Sequence, residues 1–401
     1  MDVLGRVRSL GRARAAGDDH TATTFELFFD LVYVFAVTQV TGYMAHEHSA
    51  HGVLQGVLLL ALLWWTWSGY TWLSNQARAD EGLLRVAMVV AMMAVFLVAL
   101  TIPEAWHDAP GGLYGPLVLV CAYIVVRAIH LGVYAVAAAG DRGLRHQLAI
   151  TWVPMLGGGG LLLVGVLLGG WLQTLLFGLA LLVDWGGVYL TSQQGSWRLH
   201  SPAHWTERHG LFVILAIGES VVAIGVGAAQ LPISLPLLVG ALLGVAASVC
   251  LWWLYFDIVS LAAEHRFLEV HGADRVKLAI DAYTYGHFPI VAGVVLAALG
   301  VEGVLSDADD AKPLGGFYAA ALFGGFALYL AGHLLFKRRM HSMLSVPRLL
   351  AIAALLLVLP VGALVPPMVA MVAAVAILAT LVGVETVRYA DKRRTLRATG
   401  G

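Results

Sequence analysis

FELFFDLVYVFAVTQ, residues Phe25–Gln39, reads as the first half of a membrane-spanning helix that carries two carboxylates one turn apart, Glu26 and Asp30. An uncompensated Asp near the bilayer centre costs on the order of 2.5–3.5 kcal/mol on insertion scales, so such groups turn toward protein or water. Most of the other apolar segments repeat the pattern. That repetition predicts a polar interior behind a lipid-facing shell.

The remainder of the 401-residue chain sets the class. Hydrophobic residues make up 60% of it and charged residues 12%, against about 25% charged in soluble domains. With a mean hydropathy of +0.82, there is too little polar surface to cover a soluble globule. The expected fold class is therefore an all-α polytopic membrane protein. Cys121 and Cys250 lie inside apolar runs and read as small buried hydrophobes, not as a disulfide. The basic start (Arg6, Arg8, Arg12, Arg14) leads directly into the carboxylate-bearing first span, so no cleavable signal peptide is expected.

At about 20 apolar residues per span, helices are expected near 24–44, 52–74, 83–102, 113–138, 147–168 and 171–191. Six more are expected near 208–229, 235–261, 276–300, 315–336, 347–365 and 367–388, with boundaries set by breakers such as Pro103, Gly169–Gly170 and Pro366–Pro367. The organisation is then a basic cytoplasmic tail (1–23), a six-helix half (24–191), a cytoplasmic linker (192–207), a second six-helix half (208–388) and a basic tail (389–401). With the N-terminus inside, every Lys and Arg except Arg127 and Lys312 falls on a cytoplasmic segment, Arg208 and Arg348 included. Outer loops instead carry Glu47, Glu104, Asp108, Glu302, Asp307, Asp309 and Asp310. About twelve transmembrane helices with both termini cytoplasmic satisfy this alternation.

An internal repeat also shows. Trp64-Trp65-Thr66-Trp67 matches Trp252-Trp253-Leu254-Tyr255, Arg85-Val86 matches Arg275-Val276, His130-Leu131 matches His333-Leu334, and Asp184 matches Glu385. Six spans separate the matched positions, which predicts two parallel six-helix repeats.

The polar residues inside the spans are the candidate site. In span one, Thr23, Glu26, Asp30, Tyr33, Val37 and Thr41 share one helical face. Glu26 also fits the plain role of a first-turn carboxylate at a helix N-terminus. Glu219 lies roughly mid-span in GLFVILAIGESVVAIG (Gly210–Gly225), where Gly218, Ser220 and Gly225 permit close helix approach. Span four supplies the only deep cation expected, Arg127, on a face with Tyr123, His130 and Tyr134; its partner is one of Asp30, Asp184 and Glu219. An ion pair that merely locks the bundle is the alternative. Asp257 ends span eight near the cytoplasmic face, and Asp281 in span nine is shallow enough to pair with Lys277 or with the helix dipole. The tryptophans of spans two and eight read as packing or interface belts. His46, His48 and His51 match no tight metal motif, so no metal or other cofactor is expected. Phosphate-cradling loops, helical His-Glu-x-x-His and nucleophile elbows are missing, and no loop is long enough to form a catalytic domain.

FELFFDLVYVFAVTQ at Phe25–Gln39, ERHGLFVILAIGESVVAIG at Glu207–Gly225 and WWLYFD at Trp252–Asp257 together resemble the bacterial low temperature requirement protein A family, over most of the chain. The resemblance implies a multi-pass protein of the bacterial cytoplasmic (inner) membrane and a link by name to growth in the cold, without a defined molecular activity. More distantly, Phe29-Asp30 is similar to the Phe-Ser-Asp start of a potassium-channel family built from paired six-helix repeats, although no Ser stands between them here.

The functional expectation is an ion or small-solute transporter or channel. Its path would be lined by Asp30, Arg127, Asp184 and Glu219, with Glu26, His130, Asp257 and Asp281 behind them. Glu219 and Asp30 would exchange protons or hold a cation, and Arg127 would act as counter-ion. The alternatives are a membrane-embedded enzyme acting on a lipid or lipid-linked group, with His130 or Glu219 as acid or base, and a structural protein without turnover. Expected partners are membrane lipids and an ion, proton or small solute; nucleic acid is not expected, and homo-oligomerisation is left open.

Overall fold

In the computed structural model, residues 21–193, 197–309, 311–341 and 344–399 are described. Arg6, Arg8, Arg12, Arg14 and Asp310 lie outside the described residues, as do the side chains of Lys392 and Arg397. Among those described, every regular element is helical: α1 Thr24–Glu47, α2 Ala50–Gln76, α3 Gly82–Thr101 with a 3-10 turn at Ile102–Glu104, α4 Gly115–Ala137, α5 Arg142–Leu168 and α6 Gly170–Ser192. The chain continues through α7 Pro202–Ala229, α8 Leu235–Phe256, α9 Val259–Glu269, α10 Gly272–Leu278, a π-helical turn Ala279–Tyr285, α11 Phe288–Ser306, α12 Gly316–His341, α13 Val346–Gly362, α14 Pro367–Arg388 and α15 Ala390–Thr399. Eleven of the described helical segments are long and apolar enough to cross a membrane, and α13 is a twelfth apolar helix of 17 residues.

The outward faces carry long apolar side chains, among them Met93, Leu182, Leu242 and Leu357, each more than half exposed. In water such a surface would aggregate. Against lipid tails it is the matching solvent, which is why the chain can leave these faces uncovered.

Two differences from the expected spans have local causes. The segment expected at 235–261 breaks at Asp257–Ile258, because α9 buries only Val259, Ala262, Ala263 and Phe267 and exposes Arg266 and Glu269. Its pattern is amphipathic, and with α8 it makes up one apolar segment, Leu235–Glu269, long enough to cross a membrane. The segment expected from 276 starts at Gly272 (φ 61°) and passes through the π-helical turn before α11. Pro289 lies at the start of α11 and has no N–H to donate, so the widened turn sits where the regular ladder already fails.

By internal contacts the chain forms two compact units. The first holds residues 1–43, 54–208 and 272–277; the second holds 44–53, 209–271 and 278–401. In the first, α2 is the most enclosed helix, and α5 packs along α6 through small residues: a methyl on Gly158 would stand 3.0 Å from the Ala180 carbonyl oxygen. In the second, α11 and α12 are in backbone contact. A side chain at Gly293, Gly300 or Gly325 would collide with main-chain atoms of Tyr329, Leu322 or Ala297. Where hydrophobic driving force between helices is absent, such close approach supplies the packing energy.

Candidate functional site

The Phe25–Gln39 stretch begins with a capping box. The Thr23 N–H and hydroxyl donate to Glu26 Oε2 at 2.8 and 3.0 Å, and the Glu26 N–H donates back to Thr23 Oγ1 at 3.2 Å. Helical phase then puts Glu26, Asp30, Tyr33, Val37 and Thr41 on the buried face of α1, while Phe28 and Leu31 point outward. Asp30 is fully enclosed and receives a bidentate guanidinium: Arg208 Nη1 to Oδ2 at 2.5 Å and Nη2 to Oδ1 at 2.8 Å. Trp67 Nε1 donates to Asp30 Oδ1 at 2.9 Å, and its ring lies 5.7 Å from the Arg208 guanidinium carbon.

One turn before Arg208 on α7, the buried His204 meets Glu26, Nε2 to Oε1 at 2.8 Å. The Asn75 amide fixes the roles of that imidazole. Its Oδ1 accepts from the His200 N–H at 2.8 Å and its Nδ2 donates to the Ser201 carbonyl at 2.7 Å, so Nδ2 also faces His204 Nδ1 at 3.3 Å as a donor. Nδ1 therefore accepts, and Nε2–H donates to Glu26. Arg208 Nε is 3.7 Å from the same Glu26 oxygen. Two enclosed carboxylates thus share one guanidinium and one imidazole.

A second pair lies on the other side of α2. Arg127 Nη2 reaches both oxygens of Asp184 at 3.0 Å, Trp65 Nε1 donates to Asp184 Oδ2 at 2.8 Å, and Arg127 stands 5.6 Å from the Trp65 ring centre. Trp65 and Trp67, two residues apart, point to opposite faces of α2, so one helix presents an indole N–H to each pair. His130 is buried with its ring against Gly69, where a methyl would stand 3.0 Å away, and 5.4 Å from the Tyr70 ring.

The second unit has its own charge centre. Arg348 on α13 donates through Nε to Glu385 Oε1 at 2.8 Å and through Nη2 to Oε2 at 2.7 Å and to the Leu254 carbonyl at 2.8 Å. Its Nη1 meets His333 Nδ1 at 2.5 Å, and Ser345 Oγ donates to Glu385 Oε1 at 3.3 Å. Nearby, the Ala282 carbonyl in the π-helical turn lies 3.1 Å from His287 Nδ1, and the Tyr255 hydroxyl lies 2.9 Å from His287 Nε2. Asp257 pairs with Arg393, and Asp281 with Arg339. Glu219 is 1% exposed, and its neighbour Ser220 faces Ser248 at 3.3 Å.

Several expectations change. Arg127 is not the sole enclosed cation among the described residues: Arg208 and Arg348, expected on cytoplasmic segments, are buried as well, because their helices turn them inward onto Asp30 and Glu385. The partner of Arg127 is Asp184, and Asp281 binds Arg339 in place of Lys277. Trp65 and Trp67 are hydrogen-bond donors to buried carboxylates, whereas Trp252 and Trp253 are 43% and 37% exposed, as a belt would be. His204 escaped sequence reading altogether. Its available signal was the i, i+4 spacing to Arg208, which puts both on one face of α7.

Among the described residues the enclosed ionic side chains are five carboxylates (Glu26, Asp30, Asp184, Glu219, Glu385) and three guanidiniums (Arg127, Arg208, Arg348). No group of three or more His, Cys, Asp or Glu among them is placed to hold a metal ion, His46, His48 and His51 included.

Comparison with known proteins places this arrangement in context. Residues 21–383 match the family model described as bacterial low temperature requirement A protein (LtrA). The chain is similar to an uncharacterized protein of Rhizobium meliloti (strain 1021), 28% identical over 341 residues that cover 81% of this chain and 79% of the relative. No solved structure matches it.

Proposed function

We propose, on the premise that this chain belongs to the bacterial low temperature requirement A protein family, that it is a transporter or channel for an ion or small solute. In this reading it lies in the cytoplasmic membrane with both termini inside. One observation carries the proposal: Glu26 and Asp30, both wholly enclosed, stand around the single guanidinium of Arg208, with His204 bonded to Glu26. An enclosed site with more acid than base carries a net negative charge, which burial makes costly unless a proton or cation joins it.

The chemistry follows from the bonds. Asp30 is saturated by Arg208 and Trp67, so it acts as the fixed counter-ion. Glu26 and His204 are the exchangeable pair. A proton arriving on His204 Nδ1 requires Asn75 Nδ2 to withdraw, after which an imidazolium faces the Glu26 carboxylate. A monovalent cation held at Glu26 would satisfy the same charge. Glu219, enclosed in the second unit, plays the same exchangeable part in this reading. Arg127–Asp184 and Arg348–Glu385 balance one charge against one and serve as struts, for a buried pair with matched bonds gives a helix bundle its register without needing turnover.

The test is flux in proteoliposomes bearing an imposed pH or cation gradient and an entrapped indicator dye. Glu26→Gln and His204→Gln, each verified as folded by circular dichroism and size exclusion, should cut flux at least tenfold. Wild-type flux in both variants would remove the cluster from the mechanism.

A further inference from the structure

Donors fill both enclosed carboxylates of the first unit. Thr23 gives its N–H and its hydroxyl to Glu26 Oε2, and His204 gives Nε2–H to Oε1. Arg208 gives an N–H to each oxygen of Asp30, and Trp67 gives one to Oδ1. Sodium, potassium and other hard cations leave water only for a cage of oxygens whose lone pairs turn inward. Here the hydrogens of N–H and O–H groups stand where such a cation would sit. Among the described residues no third Asp, Glu, His or Cys is placed to complete a cage. An organic ammonium needs the same lone pairs, and two carboxylates repel an anion. A proton needs a single lone pair.

That lone pair is on His204 Nδ1, which faces Asn75 Nδ2 at 3.3 Å, beyond the usual span of an N–H bond. Asn75 stands at the end of α2 and ties down the start of α7. Its Oδ1 accepts from the His200 and Ser201 N–H groups at 2.8 and 3.4 Å, and its Nδ2 donates to the Ser201 carbonyl at 2.7 Å. Ser201 in turn caps α7 ahead of Pro202, its Oγ accepting from the His204 N–H at 3.2 Å. A protonated Nδ1 needs an acceptor. Asn75 supplies one by turning its amide over, which sets Oδ1 against the imidazolium and Nδ2 against the two main-chain N–H groups it had held. Protonation and the hold on His200–Ser201 then exclude each other. The charged groups around His204 are Glu26 from α1, with Asp30 one turn on, and Arg208 from its own helix. His200, turned to Gln76 Oε1 at 3.0 Å, is a second imidazole at this end. We infer, resting on the transport reading of this cluster, that the species it takes up is a proton, held on His204 Nδ1, and that Asn75 admits it by turning over and releasing the start of α7. Water supplies the proton and takes it back, and while it is bound two cations balance two carboxylates.

The test has two arms, both on the full chain. Proteoliposomes are given a pH gradient with a pH dye inside, or a sodium or rubidium gradient with radioactive tracer. Protons should cross at least tenfold faster than in empty liposomes, and sodium and rubidium no faster. In detergent, amide hydrogen exchange of the His200–Ser201 peptide reads the hold on α7 without any flux. Corrected for the intrinsic effect of pH, its protection should fall at least tenfold from about pH 8 to about pH 5, a window that brackets an ordinary imidazole. His204→Gln should remove that fall, and His200→Gln should keep it. Asn75→Asp should remove it too, because a carboxylate accepts from the imidazolium and from the main chain together. Sodium or rubidium uptake without proton movement would overturn the proton assignment and leave a transporter. Absence of all three fluxes would remove the transport reading and the inference with it. Constant protection in the wild type, or a fall that survives His204→Gln, would overturn the part given to Asn75.

Discussion

Replacing Arg348 by Met would remove four contacts at once, to both oxygens of Glu385, to His333 Nδ1 and to the Leu254 carbonyl. The Met side chain fills the space of the Arg stem, so packing changes little. What remains is a 6%-exposed carboxylate that keeps the Ser345 hydroxyl as donor and has lost its paired guanidinium. Breaking one side of a buried pair costs about 3–5 kcal/mol, because an uncompensated charge stays behind. That corresponds to roughly a 10²- to 10⁴-fold change in the unfolding equilibrium. Replacing both members, Arg348→Met with Glu385→Met, removes the charge as well as its partner and should recover most of the loss, since apolar replacements of similar volume are often neutral or better. The assay is denaturant unfolding in mixed micelles, followed by intrinsic fluorescence, on wild type, the two single variants and the double variant. A double variant as unstable as Arg348→Met alone would refute the reasoning, because the cost would then lie in packing or in the His333 contact and not in the stranded charge.

Trp65→Phe keeps a ring beside Arg127 but deletes the N–H donated to Asp184; a bond to a charged group is worth about 1.5–3 kcal/mol, so unfolding in the same assay should shift by that amount. Gly325→Ala would drive a methyl into the main chain of α11, and overpacking of this kind costs about 1–3 kcal/mol, read as a lowered thermal midpoint. At the start of α5, outside the spans, the Leu144 N–H and then Arg198 hold the Asp141 carboxyl below its ordinary range. A depressed acid contributes stability above its unfolded pKa of about 3.9 and loses it as pH falls through the folded value. The gap in thermal midpoint between wild type and Asp141→Asn should therefore be constant near neutrality and close below about pH 4.

Fold and site were legible to different depths. The chain's apolar segments fall where helices form because a spanning helix must be continuously apolar and internally hydrogen-bonded, a property written in consecutive residues. The same holds for Thr23-x-x-Glu26, whose capping role is local. The expected spans include neither the break before α9 nor the π-helical turn, although their signals are local, the amphipathic pattern of Val259–Glu269 and Pro289 at the start of α11. Arg127 stood out because it interrupts an apolar run. Arg208 and Arg348 did not, because an Arg at a segment edge looks the same whether it snorkels to water or folds back onto a carboxylate.

By itself, then, the amino-acid order determined a helical membrane bundle and the list of acids that could not face lipid. Which cation meets each acid was decided only by tertiary packing. Asp30 and Arg208 are 178 residues apart, and Asp184 and Arg127 are 57 apart. Lipid exclusion acts on each residue alone and is readable one span at a time, whereas an ion pair needs two helices brought side by side. The division of Trp65 and Trp67 between two pairs likewise exists only once α2 has carboxylates on both flanks.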